Sequence, residues 1–261
     1  IKNFGVTKLT DCEINYNTAV KEGGAIYSDK DSGDNSGKLE LTNCTLIGNY
    51  SSKKGGAIFS DYMLMINGGT FNNNSTRGTG GAIFVGGDSK PVEIQGGTPL
   101  VIKNSHAEED GNNIYLRDGR KLKMMGAFAA GSEIWLTMEE ETGTAITDYG
   151  TYYNASDPDS ISPTQFFHSD NKLAIRRTNN NMDVELYSGW KDVQKLINNT
   201  SEGGIAVIDN DYTAESDDKA LDVKKNITID LNGHTLDRAL KDQEDNGNVI
   251  RVIDGAELTI T

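Results

Sequence analysis

Proline, cysteine and histidine are scarce in this sequence of 261 residues, with 4, 2 and 3 copies. Against 4 prolines stand 29 glycines, with frequent Asn, Thr, Ser and Asp. Such a chain turns often, and it turns through positive-φ positions rather than through proline, which disfavours a helix-rich fold. Two cysteines are too few for a disulfide framework and leave the redox compartment open. His106, His168 and His234 do not pair at metal-ligand spacing. Basic residues are the minority: 25 Lys and Arg face 39 Asp and Glu, for a net charge of −14. Phosphate backbones and anionic membrane surfaces are repelled, so nucleic acid is excluded as an expected partner. No stretch approaches the roughly 18 apolar residues of a membrane span, so this segment is not expected to insert into a bilayer. Residues 1–20 lack the basic start and apolar core of a signal peptide. Ile1 falls just before a repeat, and the sequence is expected to begin inside a longer protein.

What the sequence does contain is repetition. GGAIY at Gly23 to Tyr27, GGAIF at Gly55 to Phe59 and GGAIF at Gly80 to Phe84 are followed by a degenerate GNNIY at Gly111 to Tyr115. Their first glycines are 32, 25 and 31 residues apart. Upstream of each lies an apolar residue, two free positions and an asparagine: Ile14 to Asn17, Leu46 to Asn49, Phe71 to Asn74 and Val101 to Asn104. The asparagine precedes the glycine by six residues in the first three units and by seven in the fourth.

The segments ending each unit alternate apolar and polar residues (Leu39 and Leu41; Val92 and Ile94) and carry no 3.6-residue period. A unit of this length fits one coil of about three short strands plus turns, with coils stacked about 4.8 Å apart in parallel register. The expected fold is an all-β, right-handed parallel β-helix. Like residues then lie over like. Asn17, Asn49, Asn74 and Asn104 are expected to form an amide ladder. Ile26, Ile58, Ile83 and Ile114 form an apolar column, and Tyr27, Phe59, Phe84 and Tyr115 an aromatic one. Side chains alternate between faces, so only one of these columns enters the core, and isoleucine is expected there.

The GGAI tetrapeptide together with the apolar-x-x-Asn motif resembles the repeat of chlamydial polymorphic membrane proteins and related adhesin-like β-helical surface proteins, over residues 6–118. The resemblance implies a parallel β-helix displayed at a cell surface, with adhesion as its usual role. Only Phe71 keeps the family's phenylalanine in the FxxN motif, and no autotransporter barrel is visible.

Three regions are expected: late coils at 1–118, a β-rich terminator at 119–187, and a capping helix with the first coils of a further β-helix at 188–261. Terminator strands are expected around Leu122 to Met125, Ile134 to Met138, Leu173 to Arg176 and Val184 to Tyr187, while 139–170 shows no core-forming pattern. A short helix at about 189–199 has Ser188 as cap and buries Trp190, Val193 and Ile197. Strand patterns follow at Ile205 to Ile208, Ile227 to Leu231, Val249 to Ile253 and Leu258 to Ile260. Ile227 to Asp237 resembles the opening coils of pectate-lyase-like β-helices. Late coils thus precede early ones, through a tandem array of β-helices, a permuted order or exchange between protomers.

No catalytic residues and no cofactor are assigned. The coils show no stacked Asp pair, and no glycine-flanked serine elbow supports a triad. Asp29, Asp31 and Asp34 lie in an oxygen-rich loop that lacks the order of a calcium loop, which leaves weak calcium binding as the one metal expectation. Cys12 and Cys44 occupy equivalent places on adjacent coils, as stacked thiols or as a disulfide. The leading functional expectation is an extracellular structural or adhesive segment. Its partners would be other repeats, copies of itself head to tail, or surface glycans or proteins of a host or neighbouring cell. A self-assembling fibre subunit and a polysaccharide-active enzyme are the alternatives.

Overall fold

A computed structural model describes the chain except for residues 30–37, 88–91, 110, 118, 141, 155–160, 172, 179–180, 188, 209–210, 215–217 and 240–246. It divides into two compact units, Ile1–Tyr187 and Ser188–Thr261.

The first unit is a parallel β-helix. On one side the strands Lys2–Asn3, Ile26–Ser28, Ile58–Ser60, Ile83–Val85 and Ile114–Leu116 stack in register, Ile26 on Ile58, Ile58 on Ile83 and Ile83 on Ile114. A second side stacks Val6–Thr10, Lys38–Ile47, Met63–Asn72 and Val92–Lys103, whose later residues bend onto a third side. Thr18–Ala19, Tyr50–Ser51, Ser75–Thr76 and His106–Ala107 form the short last side. The strand Val92–Lys103 absorbs its extra length between Gln95 and Leu100, where the register to the coil below shifts. Units of unequal length therefore keep their ladders aligned by looping out between strands.

The apolar alternation read from the sequence points inward. Ile26, Leu39, Leu41, Leu46, Ile58, Leu64, Ile66, Phe71, Ile94 and Ile102 are all sealed from solvent in one continuous core. The isoleucine column lies inside, and the aromatic column lies on the opposite face of the same strands. Phe59, Phe84 and Tyr115 are nonetheless buried, as a separate cluster against which Tyr27 packs. Their rings stack from coil to coil with centroids 5.1 Å apart for Tyr27 and Phe59, 5.3 Å for Phe59 and Phe84, and 5.7 Å for Phe84 and Tyr115.

The glycine pair serves two different needs. Gly55 sits at φ +65°, in the left-handed region, and opens the turn. Gly56 faces the coil above, where an added Cβ would lie 2.0 Å from the Gly81 carbonyl oxygen. The degenerate fourth unit carries Asn112 at that second place because no further glycine turn stacks above it. Instead the strand Glu133–Met138 cuts the corner, pairing with Val101 and Ile102 through its first half and with Ile114 to Leu116 through its second.

Past that point the helix is closed off. Gly143–Thr147 stacks in parallel on Leu122–Met124, but Asp183–Tyr187 and Ala174–Thr178 then add to it as antiparallel strands. This change of direction ends the coil and covers its open edge. Residues 139–170, expected to lack a core pattern, supply Ala145, Ile146, Tyr149, Tyr153, Phe166 and Phe167 to the core. The buried pair Tyr149 and Tyr153 stands across the single helical turn Tyr149–Tyr152, and its rings contact Phe166 and Phe167. Aromatics spread over one turn and a bend have neither the period of a strand nor that of a helix, which is why the pattern escapes a sequence reading.

The second unit begins with the helix Gly189–Asn199, which buries Trp190, Val193 and Ile197 on one face. The Trp190 indole donates to the Lys219 carbonyl at 2.6 Å, and the Gln194 amide exchanges bonds with the Asp222 backbone at 2.9 and 2.6 Å. The helix thereby caps short parallel ladders: Ile205–Val207, Ile227–Asp230 and Leu258–Ile260; Tyr212–Thr213 on Leu236–Asp237; and Leu221–Val223 on Ile250–Val252. The expected cap, Ser188, lies outside the described residues. Among the described residues no helix is long and apolar enough to cross a membrane.

Candidate functional site

The arrangement with the clearest chemistry is the polar ladder at the third turn of each coil. The Asn17 amide donates to Asn49 Oδ1 at 3.0 Å, and the Asn49 amide donates to Asn74 Oδ1 at 3.1 Å. Each acceptor oxygen also takes the backbone N–H of the coil before it, both at 3.0 Å. The spare amide hydrogens tie back to the Ile14 carbonyl (2.8 Å) and the Leu46 carbonyl (2.9 Å). Asn49 and Asn74 are fully buried, and this network satisfies the Asn17 and Asn49 N–H groups and the Ile14 and Leu46 carbonyls at the turn.

Asn104 is not part of it. The fourth position of the ladder is Ser105, whose hydroxyl accepts from the Asn74 N–H at 3.2 Å, while Asn104 is exposed at φ +54°. Strand register explains the slip: Phe71 stacks on Ile102, not Val101, and Ser75 on His106. Asn104 belongs instead to a ladder of left-handed turn residues with Tyr16, Gly48 and Asn73, at φ +57°, +65° and +52°. Counting back six residues from Gly111, as in the other units, lands on Ser105. The spacing of seven was the visible sign of the displacement.

Above Ser105 the ladder is terminated by two residues that the sequence did not single out. The Ser105 N–H donates to Asn113 Oδ1 at 3.0 Å, and Asn113 donates through its backbone and amide to the Asp170 carboxylate at 3.0 and 2.7 Å. Asp170 also accepts from Thr137 Oγ1 at 3.1 Å. A carboxylate with no donor of its own is a chemically suitable end for a chain of amides.

The remaining sequence candidates do not converge. Asp29 accepts a hydrogen bond from the Tyr27 hydroxyl at 3.1 Å, and burial together with that carboxylate pushes the phenol up to about 12. Asp31 and Asp34 lie outside the described residues. Among the described residues no three His, Cys, Asp or Glu side chains gather as a metal site. His234 sits in the turn after Leu231, its Nδ1 3.7 Å from Asp211, whose carboxylate accepts the Thr235 N–H at 2.7 Å. The Cys12 and Cys44 thiols are free, and burial raises the Cys44 thiol above its usual range. The outer faces carry ion pairs instead, as where Glu40 meets Lys8 of the neighbouring coil at 2.9 Å and also Lys38 of its own strand.

A stack of unequal coils, aligned by asparagine, isoleucine and aromatic ladders and closed by an antiparallel cap, defines a β-helical repeat protein. The family model described as the Chlamydia polymorphic membrane protein (Chlamydia_PMP) repeat matches residues 11–29 and 43–61. Those segments run through the first two ladder asparagines and the first two GGAI strands, so these two coils are similar to that repeat. No curated protein and no solved structure matches the chain, and the pectate-lyase-like resemblance of Ile227 to Asp237 is without support from these comparisons.

Proposed function

We propose that the chain is a structural and adhesive β-helix segment of a larger protein displayed outside the cell. The observation that carries this reading is the in-register stack of coils of the polymorphic membrane protein type, a repeat whose name belongs to surface proteins. The physical build agrees with that role. Each inner coil buries its strand edges against its neighbours, and the outer faces present polar, ion-paired side chains to water. Stacked coils of this kind hold binding surfaces away from an anchor without needing a pocket for chemistry, and we read the chain as non-enzymatic.

Partners along the axis belong to the same reading. The first coil leaves Ile1, Val6, Tyr16 and Val20 between 55% and 82% exposed. Strand edges of this composition suit a neighbouring coil, either from the same polypeptide or from another copy. Brief treatment of intact source cells with a protease that cannot cross membranes tests the display. Peptides from residues 1–187 should be released while cytoplasmic markers stay inside, and beads coated with the purified unit should adhere to cell layers. Complete protection until the cells are lysed would refute the reading.

A further inference from the structure

We propose that a recess in the terminator, beside Trp135 and His168, binds a short neutral saccharide. The recess has a volume of about 590 Å³ and is lined by Phe128, Glu133, Ile161, Gln165, Phe166 and His168 among others. The recess is open to solvent, and its lining combines apolar side chains with a few polar groups, as small-ligand sites do. A second depression of about 390 Å³ adjoins it and shares His168. Trp135 lines the second depression, and its indole stacks on the shared His168 ring with centroids 4.8 Å apart.

The fold places these groups where the regular coils end. Glu133 and Trp135 project outward from the corner-cutting strand, while Ile134 and Leu136 fill the core. His168 stacks directly above Trp135 in the next strand. Gln165 is exposed on the short helical turn Pro163–Gln165 that leads into that strand. Neither the Gln165 amide nor the His168 ring nitrogens are hydrogen-bonded by another described residue, so both stay available to a ligand.

The chemistry favours one class of occupant. Glu133 is bonded to Lys103 Nζ at 2.5 Å and to the Trp135 indole N–H at 2.8 Å, so its charge is already balanced. The lining residues include no other acid and no Lys or Arg. Two cations next to the lining are engaged, Lys103 with Glu133 and Arg177 with the Tyr153 and Ile161 carbonyls, whereas a sugar offers an apolar C–H face to the exposed Ile161 side chain and the rims of Phe128 and Phe166, and hydroxyls to Gln165, His168 and Glu133. A single, ion-paired carboxylate cannot supply the acid and base pair that glycoside hydrolysis needs, so the site binds and does not cleave.

This site deepens the adhesive reading, and its biological meaning rests on surface display, although the binding chemistry itself does not. The test is calorimetric titration of the whole chain with maltotriose, cellotriose, chitotriose and mannotriose, with trigalacturonate as the charged comparison. The Trp135 indole N–H resonance is followed in parallel. At least one neutral trisaccharide should bind with Kd of roughly 1 mM or tighter and shift that resonance. Gln165→Ala, at an exposed position, should weaken binding about 5-fold with its thermal transition unchanged. No heat and no shift with any of the four neutral sugars, affinity unchanged in Gln165→Ala, or preference for trigalacturonate would each overturn the proposal. Saccharide binding by a chain protected from surface proteolysis would overturn the display reading alone.

Discussion

Replacing Asn49 by alanine removes the middle of the amide ladder and exposes what it is worth. The side chain makes four hydrogen bonds: it accepts from the Asn17 N–H and the Asn17 amide and donates to the Ile14 carbonyl and to Asn74 Oδ1. Asn74 Oδ1 keeps the Asn49 backbone N–H, and the exposed Asn17 amide can turn to water. Two backbone groups, the Asn17 N–H and the Ile14 carbonyl, lose their partner in a partly buried place. At about 1–3 kcal/mol for each stranded group, less where water reaches, the cost is about 3 kcal/mol. For a unit of this size that lowers Tm by roughly 6–12 °C. Asn104→Ala is the matched comparison, because the motif on paper includes Asn104 while the structure leaves it exposed. It should cost less than about 1 kcal/mol, the penalty of a left-handed turn position losing asparagine. Circular dichroism melts and urea titrations of the two variants read the difference. Equal loss in both, or a fall below about 2 °C for Asn49→Ala, would refute the ladder as described.

Gly56→Ala should prevent the coils from closing, since its Cβ would meet the Gly81 carbonyl at 2.0 Å, whereas Gly5→Ala, with nothing within 4 Å, should leave the melt within about 2 °C; limited proteolysis separates the two outcomes. Burial, with Asp29 nearby, raises the Asp61 carboxyl above its usual range, although Arg117, Lys54 and Arg120 oppose this, and Asp61 Oδ1 has no hydrogen-bond partner among the described residues. A raised folded-state pKa means that the charged form costs stability at neutral pH. Asp61→Asn should therefore raise Tm by roughly 2 °C at pH 7, with the gain shrinking as pH falls and gone below about 3.9; a gain that persists at pH 3 would contradict the sign. Millimolar calcium or EDTA should leave Tm unchanged, and a shift of several degrees would bring Asp29, Asp31 and Asp34 back as ligands. Incubation with pectin, alginate and host glycans should yield no cleavage products; their appearance would favour the enzyme alternative.

The repeat architecture was legible because each coil must satisfy the same constraints as its neighbours. Asn49 over Asn74 and Ile58 over Ile83 are forced by stacking, so their spacing survives in the sequence even as the intervening loops change length. The slip at Asn104 shows the limit. A motif search follows residue type, while the ladder follows distance from the turn glycine, and Ser105 satisfies the second without the first. The terminator was legible only in its strands. Tyr149, Tyr153 and Phe166 pack through a single turn and a bend, and Asp170 reaches Asn113 across 57 positions of sequence, a contact that no local pattern encodes. Trp135 and His168 likewise become neighbours only because parallel strands set them in register.

The central claim, parallel coils in register along one axis, is tested most directly by the distance between spin labels at Lys8 and Lys123. The register runs from Lys8 to Glu40, Met65, Glu93 and Lys123, one coil at each step. Four steps of about 4.8 Å place the two backbones roughly 19 Å apart, despite the long stretch of sequence between them. A narrow distribution near that value is the predicted result of pulsed dipolar spectroscopy. A mean beyond about 35 Å, or a broad distribution, would contradict the stacked helix and the function built on it.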